Sequence, residues 1–585
     1  MAFHSRQNLT AGVCALALSL PGCGDNTGGS DSDSVGSSGS TAVTSSATAS
    51  MTQGTAGATA ATTNGPGGMT DGSSSGTAGT AGTAGTAGTA GSTTPMTSGQ
   101  TTWFPETTGE PTTGANTTGE PVDECKVNDD MDAVGACEDE APADSFEPEV
   151  QWEWTGPPGD DQSVVTPLIA NLTDDDDNGE IDLCDIPDVV VVGGTILGGN
   201  AHIYVLDGAT GSQHFQIPTP VDVTVTPALG DIDDDGLPEI ITAQTGGTLI
   251  AFEHDGAMKW TSDVAWPQYY IAAIALADLD NDGDVEIIAG DRFYDHNGIQ
   301  QQVFPSGAPL YSATTAADLD GDGDLEVVIG HAAYHHDGAQ LYQANVVPGF
   351  PQVANLDDDP QPEILITNTS GLTLLEHDGA VKYQDLRPTG DPAGGNNWNR
   401  PATIHDFDGD DVSEYASSSR DNYSVYEADA SIVWSASVAD TSGIAAGTAF
   451  DFLGDGVAEA MYADEQFMFI FDGDGQVLLQ NQRSSLTGTE YPVVVDVDND
   501  GSAEIVVVSN IYNNMNSPTV QVIRDKEDRW IQARRIWNQH AYHVTNVRED
   551  GTIPQFEPPS WELLNTFRTN AQIESGGLCE PPIPE

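Results

Sequence analysis

Between Asn171 and Glu504 the chain sets an acidic loop between two apolar runs eight times over. The plainest copies read Asp278-Leu-Asp280-Asn-Asp282-Gly283-Asp-Val-Glu286 and Asp318-Leu-Asp320-Gly-Asp322-Gly323-Asp-Leu-Glu326. Carboxylates at positions one, three and five of a tight loop converge on one point. Glycine at six permits the sharp turn, and the acid at nine closes the cage. Oxygen-only donors on a flexible loop suit Ca²⁺ better than Mg²⁺ or a transition metal. Two more copies are complete: Asp231, Asp233, Asp235, Gly236, Glu239 and Asp496, Asp498, Asp500, Gly501, Glu504. Three are imperfect. Asn355, Asp357, Asp359 and Glu363 carry Pro360 in the glycine's place; Asp406, Asp408, Asp410 and Glu414 carry Asp411 there. Asp451, Asp455, Gly456 and Glu459 have Leu453 where the third-position acid belongs, so metal and no metal stay equally open. The first copy carries an insertion: Asn171 and Asp188 fit its ends, with Asp174, Asp176, Asn178, Gly179 and Asp182 between. One Asp-rich loop alone reads as a solvated turn; four complete copies in register read as Ca²⁺ sites.

Each repeat continues in one order. An apolar strand enters the loop, and a β-branched strand leaves it, as in Glu239-Ile-Ile-Thr-Ala and Glu504-Ile-Val-Val-Val. A third strand runs into Asp207-Gly208, Asp255-Gly256, Asn297-Gly298, Asp337-Gly338 or Asp378-Gly379, dipeptides that favour tight hairpin turns. A short fourth strand follows, often with an aromatic (Met258-Lys-Trp260, Val381-Lys-Tyr383, Ile432-Val-Trp434). Four strands per unit at a period of roughly 37–60 residues predict an all-β propeller rather than a solenoid. Eight loops predict eight blades; seven would follow if the Asp406 or Asp451 unit were degenerate. A fourth-type strand, Val150 to Trp154, precedes every loop and is expected to close the ring beside Val520 to Arg524.

The loops and their flanking strands resemble FG-GAP/VCBS repeats, the blades of the integrin α-subunit propeller and of many exported bacterial proteins. The resemblance spans roughly Gln151 to Arg535. It implies Ca²⁺ between the first and second strands of a blade, most directly at the Asp231, Asp278, Asp318 and Asp496 loops. The segment Arg534-Arg535-Ile-Trp537-Asn538-Gln539-His540-Ala-Tyr542-His543 is similar to one that follows such repeats in other large bacterial surface proteins. His540 and His543 could ligate a metal, but no third ligand stands near them, and a packed aromatic cap is the favoured reading.

Outside the repeats, residues 1–22 read as an export signal: Arg6, then an apolar stretch from Ala11 to Leu20 too short to span a bilayer. Leu20-Pro21-Gly22-Cys23 resembles the lipobox of bacterial lipoproteins, which makes Cys23 the lipidated residue. Residues 23–121 are Ser, Thr, Gly and Ala with too little apolar surface to order, a tether with a root-mean-square reach of roughly 50–60 Å. A short Cys-containing segment (122–149) precedes the propeller (150–535), and a cap and tail (536–585) follow it. Cys125, Cys137, Cys184 and Cys579 remain, an even number in an exported chain. Cys125 and Cys137 are the nearest pair, which would leave Cys184 for Cys579; of the three pairings the sequence chooses none.

With 16 basic against 91 acidic residues, nucleic acid and anionic lipid are not the expected partners, and a membrane is reached through the lipid anchor only. His254, His296, His336 and His377 recur once per blade before the turns, a periodicity that serves the fold. No nucleophile elbow, zinc helix, phosphate loop or dinucleotide fingerprint occurs. The expected function is a surface-anchored, calcium-stabilised binding or adhesion module for extracellular protein or polysaccharide. The alternative is a propeller polysaccharide lyase or hydrolase. An enzyme would need Arg, His, Tyr or Lys clustered with acids at the channel mouth, away from the metal loops.

Overall fold

The computed structural model describes residues 125–127, 137, 139–142 and 145–579, apart from 197–198, 358, 389–397, 411, 442, 514 and 575–576. The signal peptide, the tether and Cys23 lie outside the described residues, and the segment 122–149 lies partly outside them.

Eight four-stranded antiparallel sheets follow one another along the chain, so the ring has eight blades and no degenerate unit. Their inner strands are Leu168–Ala170, Ala228–Gly230, Ala275–Ala277, Thr315–Ala317, Phe350–Ala354, Thr403–His405, Gly447–Phe450 and Val493–Val495. Second strands such as Glu239–Ala243 and Glu504–Val508 are buried at every residue, because both of their faces meet another blade. Fourth strands such as Gln300–Val303 alternate half-buried with exposed, the pattern of a sheet edge facing water. Neighbouring inner strands run the same way; Ala272 and Ala273 even pair in parallel with Val225 and Thr226 of the blade before.

The ring closes where the sequence places the closure. Pro148–Trp154 pairs antiparallel with Val520–Asp525, setting Val150 opposite Ile523 and Trp154 opposite Val520. The blade so completed has the order Pro148–Trp154, Val520–Asp525, Glu504–Val508, Val493–Val495. Aromatic residues of the fourth strands then stitch blade to blade. The Trp152 ring lies against Gly211 of blade one and the Trp260 ring against Gly298 of blade three, where a Cβ would fall 2.4 and 2.5 Å from the indole. Trp152 Nε1 donates to the Gly208 carbonyl at 2.6 Å, and Trp260 Nε1 to that of His296 at 2.9 Å. The turn glycine thus serves twice, taking a positive φ and leaving room for the neighbour's ring.

The cysteines form neither half of the nearest-neighbour pairing. Cys125 bonds Cys184 and Cys137 bonds Cys579. Chain proximity loses because Cys125 is held beside the inserted first loop, where Leu183 N–H donates to the Cys125 carbonyl at 3.0 Å.

The C-terminal segment threads across the inner strands rather than extending the ring. Ile169 and Trp537 exchange two backbone hydrogen bonds of 3.0 Å. Leu229 N–H donates to the Asn538 carbonyl at 2.8 Å, and Leu276 N–H to Gln539 Oε1 at 2.8 Å. Asn355 N–H donates to Asn565 Oδ1 (2.8 Å), and Ile404 pairs with Phe567. Thr448 Oγ1 donates to the Arg568 carbonyl (2.7 Å), and Asn570 Nδ2 to the carbonyl of Val494 (2.9 Å). Inner-strand amides that a bare channel would leave to water are satisfied by this plug. His540 and His543 do not converge on one point. The His540 ring packs against Tyr491, whereas His543 Nε2 meets Glu557 at 2.6 Å.

Candidate functional site: the acidic loops and the opposite mouth

Every acidic loop leaves the C-terminal end of an inner strand, so the eight line one face of the ring. Their geometry repeats. The position-one Asp accepts the amide of the position-six glycine: Gly236 to Asp231 (2.9 Å), Gly283 to Asp278 (2.8 Å), Gly323 to Asp318 (3.1 Å), Gly456 to Asp451 (2.8 Å) and Gly501 to Asp496 (3.2 Å). Those glycines hold φ between 85° and 97°, where any side chain would be strained. The position-nine acid sends one oxygen back to the position-two amide: Ile232 to Glu239, Leu279 to Glu286, Leu319 to Glu326, Leu356 to Glu363, Phe407 to Glu414, Phe452 to Glu459 and Val497 to Glu504, all at 2.7–3.0 Å. Position-five acids accept the amide two residues on, as Asp235, Asp282, Asp322, Asp359, Asp410 and Asp500 all do.

Backbone donors therefore hold one side of each carboxylate and leave the other facing inward. Asp278 Oδ1, Glu414 Oε1, Asp498 Oδ1 and Glu504 Oε1 are buried with no protein partner. A buried carboxylate oxygen without a donor is costly, and a hard cation is what such oxygens accept. These residues fit Ca²⁺.

Burial, then repulsion from Asp280, Asp278 and Asp282, raises the Glu286 carboxyl from 4.5 to about 8. Glu414 is likewise raised to about 8, by burial and then by Asp408 and Asp406. A carboxyl whose folded pKa exceeds its unfolded one contributes stability below the unfolded value and loses it as pH rises through the folded one. In excess chelator the melting temperature should therefore fall between pH 6 and pH 8. A thermal melt series that stays flat, or rises, across that window would contradict this reading of the loops.

The inserted first loop keeps Asp188 at its end, as its sequence suggests, and departs from expectation inside the insertion. Leu172 N–H donates to Asp188 Oδ2 at 2.9 Å, so Asp188, heading the strand Asp188–Gly194, takes the position-nine role. Inside the insertion Gly179 N–H donates to Asp174 Oδ2 at 2.9 Å, which makes a second turn of the same kind. Asp185, rather than Asp182, closes it: Asp185 Oδ1 accepts from Asp175 N–H at 2.8 Å and lies with Asp174 and Asp176 in one cluster. Asp182 is turned to the Cys184 amide (2.9 Å) and Asn178 to Asp176 (3.0 Å). The periodic histidines also stand nearer the loops than their spacing implied. His296 Nδ1 is 3.5 Å from Asp284, and His336 Nδ1 is 3.4 Å from Asp324, each the position-seven acid of its own blade's loop.

The opposite face begins at the N-terminal ends of the inner strands. There a cavity of about 290 Å³ is lined by Val164, Ile196, Thr224, Tyr270, Tyr311, Asn399, Arg400, Ile444 and Leu486, among others. Among its described lining residues the one charged side chain, Arg400, is buried and donates from Nε to Asp440 Oδ2 at 2.6 Å; Tyr462 and Thr487 donate to the same carboxylate. No helix among the described residues is long and apolar enough to cross a membrane.

Over 75% of this chain and 100% of the other, the fold is similar to that of the V. cholerae biofilm matrix protein Bap1, with a TM-score of 0.65 at 22% identity. Weaker likenesses are to the exotype rhamnogalacturonan lyase YesX (TM-score 0.47, 16% identity, 76% and 83% of the two chains). A third is to a Bacillus licheniformis rhamnogalacturonan lyase (TM-score 0.42, 15% identity, 74% and 82%). No curated protein matches the chain. The FG-GAP-like repeat family matches residues 231–289, one loop through to the strand that leaves the next. That stretch is an FG-GAP-like repeat, and the ring it belongs to is an eight-bladed β-propeller.

Proposed function

We propose that the protein is exported, anchored by lipid at Cys23, and holds Ca²⁺ in its acidic loops to stiffen a ring that binds extracellular polysaccharide or protein without chemistry of its own. The observation that supports binding over catalysis is the composition of the mouth opposite the loops. Tyr270, 41% exposed, and Tyr311 offer aromatic faces, and Thr224 and Asn399 offer hydrogen-bonding groups, the mix that orients a sugar or peptide. Among the described residues that line the cavity, the one guanidinium is committed to Asp440, and none is a carboxylate or an imidazole that could act as acid or base. The other mouth is crossed by the C-terminal plug.

A glycan array probed with the full chain, with and without Ca²⁺, tests the reading. Binding should weaken about tenfold or more in Tyr270→Ala with Tyr311→Ala, each ring contributing about 1 kcal/mol. Release of unsaturated or newly reducing sugar from a bound polysaccharide would replace it with the lyase or hydrolase alternative. For the anchor, Cys23→Ala should move the protein from the membrane to the soluble fraction, and an unchanged distribution would remove that part.

A further inference from the structure

The third strand of seven blades ends in a turn fixed by one backbone hydrogen bond. In it Gly256, Gly298, Gly338, Gly379, Ala430 and Gly475 donate to the carbonyl three residues earlier and Gly211 to the one four earlier, at 2.7–2.9 Å. Three residues beyond that donor, on the fourth strand, stand His214, Lys259, Gln301, Leu341, Lys382, Val433 and Leu478. Half of the chain's four lysines occupy this one register position.

Both lysines reach into their own blade's acidic loop. Lys259 Nζ donates to Asp233 Oδ2 at 2.5 Å and to Glu239 Oε1 at 3.1 Å, the position-three and position-nine acids. Glu253, at the end of the third strand, adds a third carboxylate at 3.1 Å. In blade five Lys382 Nζ donates to Asp357, to Glu363 Oε1 at 2.6 Å, and lies 3.3 Å from Glu376 Oε1. The two ammonium-bearing side chains are only 13% and 21% exposed. Glu239 and Glu363 hold the position-two amide with their other oxygen, so each has both oxygens engaged. Glu414 and Glu504, in blades without such a lysine, each have one buried oxygen with no protein partner.

We infer that the loops are of two kinds: in blades two and five a lysine ammonium takes the cation position, and those loops bind no metal. Position-three and position-nine oxygens cannot serve an ammonium and a divalent ion together. The two positive charges would stand within a few ångströms at low local dielectric. The inference deepens the calcium reading of the other loops and rests on it. Under chelation two of the loops keep a counter-charge of their own, and these are the Asp231 and Asn355 loops, one complete by sequence and one not.

Lys259→Gln and Lys382→Gln test it, glutamine being what blade three carries at the same register in Gln301. In excess chelator each variant should melt lower than wild type by about 2 °C or more, as three carboxylates lose their counter-charge. In calcium each should regain that loss and bind about one more ion per chain than wild type, by elemental analysis of the desalted protein. Unchanged melting of both variants in chelator overturns the inference, and so does lower melting without uptake of an extra ion. Wild type free of calcium with Asp280→Ala indifferent to the ion would instead sink the calcium reading, and the chelator melts would still report on the lysines.

Discussion

A chain that begins at Pro158 should elute as aggregate, whereas the full chain should elute as a folded monomer. The deletion removes Pro148–Trp154, which supplies the outer strand of the closing blade and its six paired residues. Val520–Asp525 becomes an open edge with Val520, Val522 and Ile523 newly uncovered, a template for pairing with another molecule. Trp152 goes too, only 8% exposed and seated on Gly211 across the seam between the last blade and the first. Trp152→Ala in the full chain separates the effects: it keeps the strand and both disulfides and should lose about 3–5 kcal/mol while remaining monomeric. Size-exclusion chromatography with a denaturant titration reads both variants. A Pro158 chain that is monomeric and melts with the full chain would mean the ring does not depend on this closure.

Withdrawing calcium should have the second-largest effect. Each ion that binds the folded chain alone adds RT ln(1 + [L]/Kd), about 1–2 kcal/mol per site at millimolar calcium for an affinity near 10⁻⁴ M. Three or four such sites sum to roughly 4–6 kcal/mol, a fall of about 5 °C on chelation for a ring of this size, restored by calcium better than by magnesium. Magnesium demands a small octahedron and gives up water reluctantly, which a loop of four carboxylates does not offset. Asp280→Ala and Asp320→Ala should each remove about one ion, and Asp451→Ala none, because Leu453 stands in the third position there. A melting curve indifferent to chelator, with no calcium found by elemental analysis, would leave these loops as hydrogen-bonded turns.

The ring was legible because two regularities agree in it: four short strand-like runs per unit, and an acidic turn once per blade. Even the units that break the composition rule obey it in space. Glu414-Tyr-Ala-Ser-Ser and Glu459-Ala-Met-Tyr-Ala have no β-branched run, yet both are fully buried second strands, because their neighbours demand a strand there. What the sequence does not carry is whatever depends on side chains meeting across blades. Nothing in the Arg534–His543 segment has a period, so its path over the inner strands follows from amides such as Leu229 and Leu276 that need acceptors. Asp185 replaces Asp182 because Asp182 is turned to the amide of Cys184, which the disulfide to Cys125 holds in place. Lys259 and Lys382 were visible as letters, but their meaning lies in a register counted from a turn, not from the acidic loop they enter.

The bond between Cys137 and Cys579 joins residues 442 apart. Traction applied to the chain ahead of Cys125 would otherwise arrive at Pro148 and unzip Pro148–Trp154 from Val520–Asp525 one pair at a time, the weakest way to load an antiparallel ladder. Instead it is diverted first through Cys184 into the first acidic loop, and then through Cys579 into the segment laced across the inner strands. That segment is bonded to several inner strands, so a pull on that end would be shared among them and the closing strand spared the strain it is least able to carry.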